Sequence, residues 1–231
     1  MREIVLDTET TGLDPASGHR IVEIGCVEML GHIRTGNHFH VYLNPERDMP
    51  MEAENIHGLS SEFLKDKPLF RTVARAFLEF IGDAPLVIHN AGFDLKFLNH
   101  ELNALDLPLI DFERAIDTVL IARKMFPGSP ANLDALCKRF NVDTTARTKH
   151  GALLDAELLA DVYLELKGGR QATMTALMQA APVARAEEAG VALAFTGHTD
   201  IPERHFPPSS EELAAHQAML AKIKQPLWVV E

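Results

Sequence analysis

The chain has 231 residues, of which 46% are hydrophobic and 24% are charged, a composition typical of a globular protein with a packed core. Its 22 basic and 33 acidic residues give a net charge of −11, which disfavours a protein that holds nucleic acid through a broad basic surface. The two cysteines, Cys26 and Cys137, have apolar neighbours, so we expect buried thiols in a reducing, cytoplasmic setting. The sequence shows neither a secretory signal pattern nor an apolar run near the roughly 20 residues that cross a membrane.

Apolar and β-branched runs predict three strands in the first part of the chain. The first strand covers Ile4 to Leu6, and two more cover Arg20 to Met29 and Thr35 to Leu43. The intervening residues 31–37 contain two glycines and predict a hairpin turn.

Strands and helices alternate after this hairpin. A loop with Asn44-Pro45 and Met49-Pro50 comes first, and a short buried strand is predicted at Leu86 to Ile88. Helical spacing of apolar residues predicts helices over Phe70 to Ile81, from Phe93 to Leu102, over Asp117 to Phe126, over Leu133 to Phe140 with Asn132 as N-cap, and over Ala152 to Leu166. This order predicts an α/β fold, a mixed sheet flanked by helices in a domain of residues 1–170.

The composition changes after Gly169. Residues 171–208 are first rich in Ala, Met and Thr and then in Pro, which predicts a flexible linker. Ser209-Ser210-Glu211-Glu212 then resembles the start of a helix. Residues 209–231 are too few to form a core of their own, so we expect this apolar C-terminal segment to bind a partner.

Two acidic residues stand where the first predicted strand ends. Asp7 and Glu9 are two positions apart, so their side chains leave a strand from the same face. Carboxylate oxygens are the ligands that Mg²⁺ and Mn²⁺ prefer, and several carboxylates held together repel each other unless a cation lies between them. The buried run Ile4 to Leu6 favours such a cation site, although a solvated pair of acids is the alternative for this motif alone.

A third acid, Asp94, lies just after an apolar strand in the first turn of a predicted helix. A carboxylate there stabilises the helix dipole by about 0.3–1 kcal/mol, which is one explanation for its presence. The preceding Asn90-Ala91-Gly92-Phe93 allows the backbone to approach a ligand closely, which favours a role in the same site.

His150 and Asp155 are five positions apart at the beginning of the last helix of the α/β domain. This offset exceeds one helical turn, so we expect both side chains to face one cavity without touching each other. Asp155 would then bind metal, and His150 would accept a proton from water near neutral pH. Taken alone, a histidine at this place is more often a surface residue or a cap.

Three motifs, DTETTGL, NAGFDLKFL and HGALLDAE, occur in this order over about 150 residues and resemble those of the DEDDh 3′→5′ exonucleases. The resemblance implies a ribonuclease H-like fold and hydrolysis of a 3′-terminal phosphodiester with two divalent cations, Mg²⁺ or Mn²⁺. It implies His150 as general base and Asp7, Glu9, Asp94 and Asp155 as the metal-site carboxylates.

Longer stretches, including IHGLS, ARKMFPG and TKHGALLDAELLADVYL, are similar to the epsilon proofreading subunits of bacterial DNA polymerase III. This similarity covers nearly all of residues 2–170 and implies proofreading at a single-stranded or frayed 3′ end of DNA. The implied substrate-binding residues are Asp7, Glu9, Glu52, His57 and Asp155, and we expect Thr8, Thr10, Leu13 and Phe93 to line the site, with turn and core roles as their alternative.

The same resemblance implies partners. The polymerase alpha subunit would bind at about residues 205–231 with Trp228 as an anchor, and the sliding clamp would bind Gln171 to Leu177, for which a plain linker is the alternative. A small theta-like subunit is a further implied partner. Tethering would supply the local DNA concentration that an acidic surface does not. A stand-alone exonuclease acting on RNA or repair intermediates and a non-catalytic architectural subunit of the polymerase stay open as alternatives.

Overall fold

The computed structural model describes residues 1–169 and 209–220 of the chain. In the first range, five strands form one mixed sheet in the order β3-β2-β1-β4-β5. Strand β1 is antiparallel to β2 and parallel to β4, β2 is antiparallel to β3, and β4 is parallel to β5. The strands are β1 (Arg2–Thr10), β2 (Ile21–Leu30), β3 (Ile33–Tyr42), β4 (Leu86–Ile88) and β5 (Ala115–Asp117).

Helices cover both faces of this sheet, as the order of elements predicted. They are α1 (Met51–His57), α2 (Ser61–Leu64), α3 (Phe70–Ile81), α4 (Ala91–Asn103), α5 (Thr118–Met125), α6 (Leu133–Phe140) and α7 (Ala152–Leu166). The predicted bounds of α3, α6 and α7 are confirmed, and Asn132 caps α6 by accepting a hydrogen bond from Ala135 N at 2.8 Å. Helix α4 begins two residues before the predicted start.

Short elements were missed by the sequence analysis. The predicted loop before α3 contains α1 and α2, whose N-cap residues are Pro50 and Ser60. The predicted hairpin is confirmed, since β2 and β3 pair antiparallel, but its turn is shorter than residues 31–37. Only Gly31 and His32 form it, both with positive φ, and β3 begins directly afterwards. Strand β5 has three residues, too few for a periodic pattern, and its pairing with β4 holds it in place.

Two apolar layers hold the sheet between the helices. On one face, Ile4 and Leu6 of β1 pack with α3 and α4 around Phe77 and Phe97. On the other face, Val5 of β1 packs with α6 and α7 in a layer that also contains the fully buried Tyr163. Cys26 and Cys137 are free and buried, as expected. The alternation along β1 therefore assigns its odd positions to the α7 side and its even positions to the α3 and α4 side.

The beginning of α7 comes unusually close to the sheet at Gly25 of β2. A Cβ atom at this position would lie 2.3 Å from Ala152 C and from Leu153 N, both backbone atoms that cannot rotate away. Asp7 is the β1 residue paired with Gly25, so this glycine lets α7 approach the acidic end of β1.

We expect Gly25→Ala to destabilise the protein by about 1–3 kcal/mol, because overpacking displaces the start of α7. Any nuclease activity should fall as well, since Asp155 is carried by that helix. The measurement is urea unfolding of Gly25→Ala and of Gly92→Ala in α4. Gly92→Ala is the control, because a Cβ at Gly92 meets no atom within 4 Å. Equal stability of the two variants would contradict the close approach.

Helix α8 (Ser210–Leu220) belongs to a second unit of the chain. Its predicted start is confirmed by a reciprocal cap, in which Ser209 N donates to Glu212 Oε2 at 2.8 Å and Glu212 N donates to Ser209 Oγ at 3.2 Å. The predicted linker at residues 171–208, the clamp-binding peptide Gln171 to Leu177 and the anchor Trp228 lie outside the described residues. Within the described ranges, the structure contains no helix with the length and apolarity needed to cross a membrane.

Candidate active site

The carboxyl end of β1 carries the first two acids. Asp7 and Glu9 share one face of the strand, opposite Gly25 and Glu23 of β2. The register shifts after Glu9, where the strand bends into the following loop. Thr8 points to the other face, and its hydroxyl donates to Asp94 Oδ1 at 2.7 Å. One strand end thus provides two carboxylates and orients a third.

Asp94 lies in the first turn of α4 and is 3% exposed. The helix follows Asn90, which takes a left-handed conformation with φ of 71°. Asp117 at the end of β5 receives hydrogen bonds from the backbone N–H groups of Asn90 and Ala91 at 3.3 and 3.2 Å. It therefore holds the turn that presents Asp94, a role with no local signal in the sequence.

Asp155 lies in the first turn of α7 and is 3% exposed. His150, on the preceding loop, lies with Nδ1 3.2 Å from Asp155 Oδ2, so the expectation that the two side chains do not touch is wrong. The loop bends back onto the helix start, and the backbone N–H of His150 donates to Ile56 O of α1 at 3.3 Å. Arg147 on the same loop donates to both Asp155 oxygens at 2.6 and 2.7 Å.

Ligand atoms of Glu9, His150 and Asp155 lie within 4.8 Å of one another, a spacing that suits one metal ion. Asp7 and Asp94 are not members of this group of three, but Asp7 interacts electrostatically with Asp94, Glu9 and Asp155. Burial, followed by the charges of Asp94, Glu9 and Asp155, raises the pKa of Asp7 well above its usual value. Burial and then the charge of Asp155 raise the pKa of Glu9 to about 8, and burial raises the pKa of Asp94 to about 7.

These pKa shifts predict how stability depends on pH when a chelator is present. An acid whose pKa is raised in the folded state contributes stability at low pH. This contribution is lost as the pH rises from the pKa of the acid in the unfolded chain to its pKa in the folded chain. For Glu9 that window runs from 4.5 to about 8. We expect thermal melts in chelator to show a midpoint several degrees lower at about pH 8.5 than at about pH 5.

Glu9→Gln should flatten this dependence, because the amide does not titrate. Added Mn²⁺ should also flatten it, since the cation binds the ionised carboxylates. A wild-type midpoint that rises over the same pH range in chelator would contradict the repulsion between these acids.

A cleft of about 640 Å³ adjoins the acids on the side of α1. Seven of the nine predicted substrate-binding and lining residues border it, all except Asp7 and Asp155: Thr8, Glu9, Thr10, Leu13, Glu52, His57 and Phe93. Asp7, Asp94, Asp155 and His150 are not among its lining residues. Burial lowers the pKa of His57, which favours the neutral ring, and its Nδ1 accepts a hydrogen bond from Leu59 N at 3.0 Å. Leu13 is 82% exposed, so an apolar side chain is open to the cleft.

Two charged residues of the site were missed by the sequence analysis. Glu23 is 3% exposed, its Oε1 lies 2.8 Å from His40 Nε2, and its charge contributes to the raised pKa of Asp7 and Glu9. The feature of the sequence that could have identified Glu23 is a charged residue within the apolar strand IVEIGCVEM. Arg147 lies in a polar loop, so only the folded path of that loop reveals its contact with Asp155.

A sheet end with four acids from β1, α4 and α7, and a histidine beside them, is a set of donors that suits divalent cations and hydrolytic chemistry. The Exonuclease (RNase T) family model matches residues 4–163. DNA polymerase III subunit epsilon of Rickettsia conorii (strain ATCC VR-613 / Malish 7) is 54% identical over 226 residues, which cover 96% of each chain.

Two solved structures are also similar. Exonuclease X in complex with 5′ overhanging duplex DNA is 26% identical with a TM-score of 0.56, and the match covers 71% of this chain and 90% of that one. The nuclease domain of 3′hExo, a DEDDh family member bound to rAMP, is 18% identical with a TM-score of 0.61 and the same coverage, which supports the fold alone. The chain therefore belongs to the Exonuclease (RNase T) family and, within it, to the family of DNA polymerase III epsilon subunits. It is a metal-dependent exonuclease.

Proposed function

We propose that the chain is the proofreading 3′→5′ exodeoxyribonuclease of a replicative DNA polymerase. The observation that carries this proposal is the convergence of Asp7, Glu9, Asp94 and Asp155 beside a cleft open to a polynucleotide end. The 54% identity to an epsilon subunit over 96% of both chains supports DNA as substrate and proofreading as its purpose.

The four carboxylates fit two divalent cations, Mg²⁺ or Mn²⁺. Their oxygens are hard ligands, and burial raises the pKa of Asp7, Glu9 and Asp94, with the charges of neighbouring acids adding to the effect, so bound cations would offset the cost of ionising them. Bound cations supply Lewis-acid stabilisation of charge on the phosphoryl oxygens and make water more acidic. Thr8 keeps Asp94 oriented through its hydroxyl, which fixes one carboxylate oxygen before any ligand arrives.

His150 is the proton acceptor of this proposal. Its side chain is 48% exposed, so water can reach the ring, while the hydrogen bond from its backbone N–H to Ile56 O holds the loop beside α1. Asp155 Oδ2 lies within reach of Nδ1 and accepts from it when Nδ1 carries the ring proton, which leaves Nε2 to take a proton from water.

The cleft beside Glu9 suits the terminal nucleotide. Glu52 and His57 border it and supply polar side chains to its wall, which suits a sugar or phosphate group. Phe93 and Leu13 present apolar surface for base and sugar, while Thr8 and Thr10 complete the wall near the acids. Such contacts recognise an unpaired end without reading base identity.

Nucleotide release tests this proposal directly. The full chain should release nucleotides from the 3′ end of single-stranded DNA and of mismatched primers faster than from paired primers, because a frayed end enters the cleft without unpairing. Release should require Mg²⁺ or Mn²⁺ and stop in chelator. No metal-dependent release by the wild type would overturn the proposal.

We further infer that the C-terminal segment, residues 209–231, joins the chain to the polymerase alpha subunit in the cytoplasm. The capped helix α8 supports a preformed contact element, and the acidic net charge of −11 favours tethering over capture of DNA from solution. The sliding clamp at Gln171 to Leu177 and a small theta-like subunit are the other proposed partners. Deleting residues 205–231 should preserve nuclease activity and abolish co-purification with alpha, and unchanged co-purification would contradict this inference.

A further inference from the structure

Arg147 lies on the loop between α6 and α7, and its guanidinium contacts Asp155, His150 and Asp134. Its Nε and Nη2 donate to Asp155 Oδ1 and Oδ2 at 2.6 and 2.7 Å in a parallel fork. The same Nη2 lies 2.9 Å from His150 Nδ1, and Nη1 donates to Asp134 at the beginning of α6. The side chain is only 8% exposed, so this is a buried ion pair rather than a solvated surface contact.

The guanidinium takes the same oxygens that a divalent cation would need. Ligand atoms of Glu9, His150 and Asp155 lie within 4.8 Å of one another, and two of these residues contact Arg147. A cation bound to Asp155 at about 2.1–2.5 Å would lie within roughly 5 Å of the guanidinium, where like charges in a buried site repel strongly. The arginine and a cation are therefore alternative partners of Asp155.

Two contacts of His150 Nδ1, with Arg147 and with Asp155, require different tautomers of the ring. Because Arg147 Nη2 is only a donor, Nδ1 must accept, and the proton of a neutral ring then lies on Nε2. Asp155 Oδ2, 3.2 Å from Nδ1, is an acceptor and requires the opposite tautomer, in which Nε2 is free to take a proton. Moving Arg147 away from His150 therefore favours the tautomer that the proposed base needs.

We propose that Arg147 is a positioning residue that serves as an internal counter-cation, holding Asp155 and His150 until a divalent cation displaces it from Asp155. Asp134, whose side chain is 69% exposed in the first turn of α6, keeps the displaced guanidinium nearby. The inference rests on the proposed cation site and adds a competition that sets metal affinity.

The test is calorimetric titration of Mn²⁺ into full-length wild type, Arg147→Gln and Arg139→Gln. Arg139 is the matched control, because it is an exposed arginine on α6 over the Phe126 ring, and its replacement changes the net charge equally. We expect Arg147→Gln to bind Mn²⁺ about tenfold more tightly, since the ion no longer displaces a charged hydrogen bond. Arg139→Gln should stay within about twofold of wild type.

Thermal melts provide a second readout. Arg147→Gln should lower the melting midpoint in chelator more than in saturating Mn²⁺, because tighter binding to the folded state gives greater stabilisation by the ion. The inference would be overturned if Arg147→Gln lowered the melting midpoint equally in chelator and in saturating Mn²⁺. It would also be overturned if the variant bound Mn²⁺ no more tightly than the wild type.

A measurement on the wild type covers the case in which the variant does not fold. The ¹⁵N side-chain resonance of Arg147 should shift as Mg²⁺ is added, because Nε leaves Asp155 Oδ1. An unshifted resonance at saturating Mg²⁺ would also overturn the competition. Failure of the proposed function is recognised separately, by a wild type that binds Mn²⁺ but releases no nucleotides.

Discussion

Replacing Asp7 with asparagine is expected to lower metal-dependent nucleotide release by about 10³-fold or more. Asp7 has three acidic neighbours. Burial is the largest cause of its raised pKa, and the charges of Asp94, Glu9 and Asp155 raise the pKa further. Asparagine keeps the shape of the side chain but removes the charge that a cation requires. Losing a ligand removes several kcal/mol of charge stabilisation in the transition state, and each 1.4 kcal/mol is about tenfold in rate.

The same substitution should leave the metal-free fold intact or stabilise it slightly. The raised pKa of Asp7 means that its ionised form costs free energy in the folded chain, and an amide at that position has no such cost. The measurements are nucleotide release from a single-stranded oligonucleotide and thermal melts in chelator.

Asp83→Asn is the matched control, because it makes the same charge change at an exposed turn before β4, away from the carboxyl ends of the strands. It should match the wild type in activity. An Asp7→Asn protein that keeps more than about a tenth of wild-type activity, or melts well below it in chelator, would refute the assigned role.

The second large effect is expected for His150→Gln, which should lower the maximal rate by about 10²–10³-fold. Glutamine retains hydrogen bonding at this position but does not accept a proton. The residue is carried by a loop whose backbone is bonded to Ile56 O, so the fold should tolerate the change. Metal affinity should change much less than rate, because Glu9 and Asp155 keep their carboxylates.

Rates measured across pH separate a proton acceptor from a structural residue. In the wild type the rate should fall at acidic pH, and in His150→Gln this fall should be shallower because one titrating group is lost. His100→Gln, in the last turn of α4 and exposed, is the matched control and should keep the wild-type profile. A profile of His150→Gln parallel to that of the wild type would exclude the histidine as proton acceptor.

Much of the fold was predictable from local patterns. Helix α3 and helix α7 each extend over more than ten residues, so their apolar spacing identifies them, and the cap at Asn132 marks the start of α6. The short elements α1, α2 and β5 were not predictable in this way, because Met51–His57 and the three residues of β5 do not complete enough periods.

The sequence by itself determined the acidic residues and His150, since three short motifs in order identify them together with the class of chemistry. Only the tertiary structure decided how these groups meet: His150 touches Asp155, and Arg147 forms a fork on the same carboxylate. Local spacing encodes which face of a strand or helix a side chain takes. Contacts between a loop and a helix, and the burial that raises the pKa of Asp7, depend instead on how distant segments pack.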